Sequence, residues 1–146
     1  MVKVRKADSA DAELLSELNL AFNGVNRTAE RIRQALLDHE PTTETVLIAE
    51  ESGSIVGFVC FQTLRSICYD QPWAEITELY LRPSHRRSGV GLTLVSAAII
   101  GAETAGSSEV VLRVNIKNDA ARNLYAKTGL SVVPDVVLHL PLQNSN

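Results

Sequence analysis

The sequence predicts an α/β (or α+β) domain, in which a mixed sheet is flanked by helices. Three observations support this prediction. The chain has 146 residues, the usual size of one compact domain with a real core. Apolar residues recur first at helical and then at strand spacing, and helices and strands alternate from Gly89 onward. A chain that mixes the two periods in this way packs helices against a sheet.

Two helices are predicted between the first strand and the second. The first follows a capping residue, Asp8 or Ser9, and ends at Gly24. The second begins at Thr28, a suitable N-cap, and runs to about His39, because a proline two residues later prevents easy continuation.

Runs of β-branched and apolar residues between turn residues predict the strands. They are Val2 to Arg5, Thr45 to Glu50, Ile55 to Leu64, Ala74 to Leu81, Glu109 to Val114, Ser131 to Val133 and Val136 to Leu140. Two more helices lie among the later strands, at Gly89 to about Thr104 and at Asn118 to Lys127. We expect a single domain over residues 1–142, followed by a polar tail at 143–146.

Composition argues against several classes of protein. The net charge of −3 gives no electrostatic reason to bind nucleic acid or an anionic membrane. No apolar run approaches the roughly 20 residues that span a bilayer, and the N-terminus lacks a signal-peptide pattern, so we expect a cytoplasmic protein. Cys60 and Cys68 are the only cysteines and no Cys/His cluster has zinc spacing, so we expect no metal.

The most informative segment is a strand, a basic turn and a helix at residues 79–92. Gly89 and Gly91 allow the backbone to approach a ligand closely, and the helix start offers unpaired N–H groups. Arg86 and Arg87 add positive charge, so the segment predicts a site for a pyrophosphate or similar anion. A Rossmann fingerprint is excluded because Leu94 occupies its third small position, and a P-loop is excluded because its lysine is missing.

This segment resembles motif A of the GNAT superfamily of N-acetyltransferases, whose defining positions are Arg86, Gly89 and Gly91. The stretch from Asn118 to Leu130 is similar to the family's motif B, an Asn that opens a helix before a terminating Gly. The two motifs occur in the family's order and at its usual separation, and the resemblance covers nearly the whole chain.

The resemblance implies a central, mixed, mostly antiparallel sheet of six to seven strands with about four helices. It also implies an acetyl-CoA slot where the fourth and fifth strands splay apart, with the turn's N–H groups on the pyrophosphate. The residues implied for the cofactor are Leu79, Tyr80, Leu81, Arg86, Arg87, Ser88, Gly89, Val90, Gly91, Leu92, Asn118 and Tyr125. For Asn118, a simple helix cap is an equally good interpretation.

Acetyl transfer to an amine needs a base, because an alkylamine with a pKa of about 10.4 is protonated at neutral pH. Glu75 and Glu78 are the candidates, and the resemblance favours Glu75. Strict alternation puts them on opposite faces, although a bulge that the family commonly has would change this. Tyr125 lies where many relatives place the acid that protonates the thiolate. Solvated glutamates and a core tyrosine are the competing interpretations.

The acceptor is expected to be a primary amine of a small molecule or a peptide, attacked directly in a ternary complex. Phe22, Tyr69 and Trp73 could form an aromatic wall around it. Arg113 stands where enzymes acting on ribosomal N-termini often carry a glutamate, which weakens that acceptor class. The terminal strands could support a homodimer. Two alternatives remain, a non-catalytic acyl-CoA sensor and a phosphate-binding module that shares only the glycine turn.

Overall fold

The computed structural model describes residues 1–38 and 44–143. The predicted end of the second helix at His39 and the last three residues of the predicted polar tail lie outside these ranges. The elements are β1 (Lys3–Lys6), α1 (Ala12–Asn23), α2 (Ala29–Leu37), β2 (Glu44–Glu51), β3 (Ser54–Leu64), β4 (Trp73–Leu81), α3 (Val90–Thr104), β5 (Val110–Leu112) and α4 (Asp119–Lys127).

The strands form one mixed sheet in the order β1-β2-β3-β4-β5. The first three pairs of neighbours are antiparallel, and β4 and β5 are parallel. The predicted mixed sheet and four helices are therefore confirmed. No helix among the described residues is long and apolar enough to cross a membrane.

The prediction of six to seven strands is wrong for the described residues, which contain five. The segment 131–142, where two late strands were predicted, contains no strand, and its apolar side chains are exposed to solvent, as at Val136 (81%) and Leu138 (91%). A strand needs a neighbouring backbone and a face to bury. Residues 131–140 have no ladder partner among the described strands, so their apolar pattern alone does not make them a strand.

Each face of the sheet carries its own core. On one face α3 buries Leu94 and Val95 against a cluster that includes Val59 of β3. On the other face Leu18 of α1 packs against Ile48 of β2 in a second cluster. The sheet is thus covered by α3 on one side and by α1 and α2 on the other, and the second side leaves room for a cavity.

A β-bulge at Thr77 in β4 decides which side chains face that cavity. Cys60 of β3 pairs with Glu78, and the next residue of β3 pairs with Ile76, so Thr77 has no partner across the ladder. Strict alternation would place Glu75 and Glu78 on opposite faces of the sheet. The extra residue shifts the alternation by one position and so changes this. Glu75 and Glu78 therefore lie on the same face of the sheet, two ladder positions or about 7 Å apart.

The start of α1 is held to β1 by one buried carboxylate. Asp11 is 6% exposed and accepts two hydrogen bonds from the Arg5 guanidinium, at 2.9 and 2.8 Å. It also accepts one from the backbone N–H of Asp8, whose own side chain caps the turn at Ala10. The hydrogen bonds from Arg5 hold the pKa of Asp11 below its usual value, although burial opposes them.

We expect Asp11→Asn to lower the free energy of unfolding by about 2–3 kcal/mol at pH 7, since it removes the charged acceptor from the Arg5 pair. A depressed folded pKa gives stability that is present above the unfolded pKa and lost as pH falls through the folded one. The difference between the two proteins should therefore shrink below about pH 4. Chemical denaturation across pH measures it, with the exposed Asp70→Asn as control. A difference that stays constant down to pH 2 would contradict this account.

Candidate active site

The turn between β4 and α3 has the backbone of an anion site. Gly89, which precedes the helix, has φ +89°, a conformation that favours glycine, and Arg87 has φ +60°. Gly89 offers no side chain to cap the helix, and no side-chain cap hydrogen bond is made there. The first N–H groups of α3 and the positive end of its dipole are thus directed toward the turn.

Side chains of the turn fix its shape. Arg86 donates from Nε to the carbonyl oxygen of Leu81 at 3.1 Å, and its guanidinium carbon lies 5.7 Å from the centre of the Tyr80 ring. Ser88 donates to the carbonyl of His85 at 2.5 Å. The His85 ring contacts Glu51 at 2.7 Å, which lowers the pKa of that carboxyl. These contacts hold the turn at the end of β4 and against the end of β2.

Near this turn β4 has no neighbour on its β5 side among the described strands, because β4 and β5 pair over only three residues. Their ladder ends where Ile76 pairs with Leu112, whereas β4 continues to Leu81. Gly91, in the first turn of α3, comes close to Leu81 at the end of β4 and to Leu124 of α4. A Cβ at this position would meet Leu124 at 3.0 Å and Leu81 at 3.1 Å. The splay predicted between the fourth and fifth strands stays a prediction, and its place corresponds to the part of β4 beyond Ile76, which has no strand neighbour on this side among the described residues.

Two residues predicted for the cofactor lie on α4. The Asn118 side chain accepts a hydrogen bond from the backbone N–H of Ala121 at 3.1 Å, so it acts as the helix cap. Tyr125 is half-buried beside the α3 core, and burial raises the pKa of its phenol. Its hydroxyl has no hydrogen-bond partner among the described residues, which leaves it available to a ligand.

A cavity of about 670 Å³ lies on the opposite face of the sheet, under α1 and α2. Its walls combine apolar side chains with charged ones. The apolar group includes Leu15, Ile32, Leu36, Val46 and Phe58, and the ionisable group is Lys6, Asp8, Arg27, Glu44, Cys60 and Glu78. Of the two glutamates considered as bases, Glu78 lines this cavity and Glu75 is not among its lining residues.

Three of the lining groups form a tight cluster. The donor atoms of Glu44, Cys60 and Glu78 lie within 4.8 Å of one another. Partial removal from water and then the neighbouring Glu78 raise the pKa of Glu44, while Arg27 lowers it. Burial, together with both carboxylates, raises the pKa of the Cys60 thiol. Two carboxylates this close together attract a cation, such as an ammonium group.

The two glutamates of β4 have different neighbours. Glu78 accepts a hydrogen bond from the hydroxyl of Thr77, the bulged residue. Glu75 lies further back along the strand, where its Oε1 is 3.3 Å from Nη2 of Arg113. Although Glu75 lies on the same face of the sheet as Glu78, it contacts Arg113 at the sheet edge and does not line the cavity.

The aromatic wall expected from Phe22, Tyr69 and Trp73 is not formed. Phe22 packs instead against Phe58 and Tyr80, with ring centres 6.0 and 5.7 Å apart. Trp73 begins β4 and Tyr80 nearly ends it, a separation of about 23 Å along the strand. Tyr69 lies in the loop before Trp73 and is 71% exposed. The expected wall combined Phe22 with Trp73, but these two residues lie near opposite ends of β4.

Comparison with known proteins decides the family. The model of the "Acetyltransferase (GNAT) family" matches residues 12–130. The chain belongs to the GNAT family. Its relatives include an uncharacterised N-acetyltransferase of Mycobacterium bovis, 30% identical over 77% of this chain and 67% of that protein. Another, from Salmonella typhimurium, is an "L-methionine sulfoximine/L-methionine sulfone acetyltransferase", 30% identical over 88% of this chain and 80% of that protein.

Solved GNAT structures share the whole architecture. One is the aminoglycoside acetyltransferase AAC(6')-Iy in complex with a bisubstrate analogue of CoA and acetylneamine. It superposes with a TM-score of 0.83 over 97% of this chain and 99% of that one, at 15% identity. At this identity the likeness establishes the fold. Homology and fold together make this GNAT protein an N-acetyltransferase.

Sequence reasoning missed Glu44 as a residue of this cavity and did not single out Arg27. A pattern could have found Glu44, because it shares strand parity with Val46 and Ile48, which face the α1 side. Arg27 lies in the α1–α2 loop, for which no periodicity exists. Only the packing of that loop in the structure shows that Arg27 lines the cavity.

Proposed function

We propose that this protein is an acetyl-CoA-dependent N-acetyltransferase that transfers an acetyl group to the primary amine of a small molecule by direct attack in a ternary complex. One observation carries the proposal. A single strand, β4, ends at a glycine turn suited to an anion and, at its bulge, presents Glu78 to a cavity large enough for a small acceptor.

The donor site is argued from the turn and the open edge of β4. The N–H groups from Arg87 to Leu92 suit the pyrophosphate of CoA, whereas that of Arg86 donates to the carbonyl of Pro83. The open edge of β4 at Leu79 to Leu81 suits the amide groups of the pantetheine arm. The three backbone features fit the cofactor together: a left-handed glycine, an uncapped helix and a ladder that ends early.

Glu78 is our proposed base, and Glu44 assists it by attracting the ammonium form of the acceptor. Glu78 removes one proton from the ammonium to give the neutral amine, whose lone pair then attacks the acetyl carbonyl carbon. The attacking nitrogen loses its second proton to water as the amide forms. A C–N bond forms, the C–S bond breaks, and the electron pair leaves on sulfur as a thiolate. This role moves from Glu75 to Glu78 because Glu75 is paired with Arg113 and is absent from the cavity wall.

Tyr125 is our proposed acid for the departing thiolate. Its raised pKa keeps the phenol protonated throughout the neutral range, and its hydroxyl has no partner among the described residues. A free thiol has a pKa of about 8.5, so protonation assists departure only moderately at neutral pH. The contribution of Tyr125 should therefore be smaller than that of Glu78.

We also propose that a second copy of the chain covers the segment 131–142. Its apolar side chains, among them Val132, Val136, Leu138 and Leu140, are 79–91% exposed. Residues 131–140 belong to no strand of the sheet, and β5, a sheet edge among the described strands, is short. A two-fold pairing buries the same patch on both copies and supplies the neighbour that an isolated strand lacks.

We expect light scattering to give a mass twice the 15.9 kDa of one chain. Leu138→Lys should shift the protein toward monomer, because a charge would be buried in the pairing. The polar Gln143→Lys at the end of the segment is the control and should remain dimeric. A monomeric wild type at micromolar concentration would contradict the proposed pairing.

The glycine turn can be tested with two matched variants. Gly89→Ala and Gly106→Ala both place a Cβ at positive φ, +89° and +83°, with open space around it. Each should lose roughly 1–2 kcal/mol of stability. Only Gly89→Ala should weaken CoA binding by about tenfold or more in calorimetric titration, because only this turn faces the donor site. Unchanged CoA affinity in both variants would contradict the donor site.

The base can be tested in the same manner. Glu78→Gln should lower kcat by roughly 100-fold or more while leaving the Kd of CoA unchanged, since its carboxylate acts on the acceptor. Glu75→Gln is the matched control on the same strand and face, and it should keep most of the activity. The reverse ranking would return the role to Glu75, and CoA binding without turnover of any amine would support a sensor domain.

A further inference from the structure

The acceptor cavity carries charges of both signs, which restricts the molecules that fit it. Its acidic side chains are Asp8, Glu44 and Glu78, and its basic ones are Lys6 and Arg27. The excess of one negative charge is small. A pocket made for a polycation would present carboxylates without competing cations, because like charges in a partly dry cavity repel strongly.

Arg27 faces the carboxylate cluster across the cavity. It is close enough to lower the pKa of Glu44, whereas Glu78 raises the same pKa. The guanidinium makes no hydrogen bond or ion pair with another side chain in the described residues. Arg27 is exposed at the cavity rim and acts on Glu44 only at longer range, so its planar, permanently charged guanidinium can still pair with a ligand, and the matching ligand for such a group is a carboxylate.

The loop that carries Arg27 is ordered by α1. Ser16 donates its hydroxyl proton to the carbonyl of Arg27 at 2.6 Å, and Asn19 donates to the carbonyl of Val25 at 3.2 Å. The backbone N–H of Val25 donates to Asn23 at 2.9 Å. Three α1 side chains therefore hold this short loop over the cavity, and the arginine is presented from a fixed backbone.

We propose that the acceptor is a free amino acid with an uncharged side chain, bound by its carboxylate at Arg27 and by its amine at Glu78 and Glu44. This inference rests on the proposed acetyltransferase activity and names its substrate class. The apolar wall, with Leu15, Ile32 and Phe58, receives the side chain. A peptide or a simple amine would leave the guanidinium without a partner next to the reacting group.

Matched pairs of acceptors test the inference. L-Methionine is compared with 3-(methylthio)propylamine and L-phenylalanine with phenethylamine, each pair differing only in the carboxylate. We expect kcat/KM for the amino acid to exceed that of its amine by about 10- to 100-fold, the range that a charge-assisted pair provides. A short peptide with a free N-terminus should behave like the amine.

Arg27→Gln separates the carboxylate contact from the intrinsic reactivity of the two amines. It should lower kcat/KM for amino acids by about 10- to 100-fold, mainly through KM, and leave the simple amines within about threefold. Arg27→Lys should restore part of the preference, because it keeps the charge and loses the bidentate geometry. The control is Arg31→Gln, an exposed arginine of α2 outside the cavity wall, which should change neither class.

The outcomes distinguish this inference from the proposed function. Amines or peptides used as well as amino acids, with no effect of Arg27→Gln, overturn the amino-acid inference while acetyl transfer stands. Absence of turnover with every acceptor overturns both, and parallel CoA titration shows whether the donor site survives. A preference for amino acids that disappears in Arg27→Gln supports the inference.

Discussion

The extra residue in β4 is the constraint on which the site depends. Without the bulge at Thr77, strand alternation would direct Glu78 to the α3 core, where a carboxylate would be buried without a partner. With the bulge, Glu78 lines the cavity beside Glu44. The same strand keeps its apolar residues, such as Ile76, in the α3 core on both sides of the bulge. One irregular residue thus directs Glu78 to the cavity while the apolar residues of β4 stay in the core.

The second requirement is that β4 loses its neighbour before it ends. Parallel pairing with β5 stops at Ile76, and the free stretch of β4 leads to the glycine turn and to the start of α3. Gly91 allows α3 to pass close to Leu81 and Leu124. The same strand thus leads to the glycine turn at its end and carries Glu78, at its bulge, into the wall of the cavity.

The sequence was sufficient for local features and insufficient for those that depend on distant partners. Motif A, the helix caps at Thr28 and Asn118 and most element positions followed from short-range chemistry. The sequence alone could not predict that Glu78 and not Glu75 lines the cavity, because a bulge depends on the pairing of two strands. The late strands at 131–140 failed for a related reason, since apolar pattern without a pairing partner does not make a strand.

Initial rates of CoA release, with acetyl-CoA and an amino-acid acceptor both varied, test the account most directly. Direct attack in a ternary complex predicts release that depends on both substrates, with intersecting double-reciprocal lines. Parallel lines would indicate a covalent acetyl-enzyme and contradict direct attack. Release that never responds to any acceptor would contradict the acetyltransferase itself.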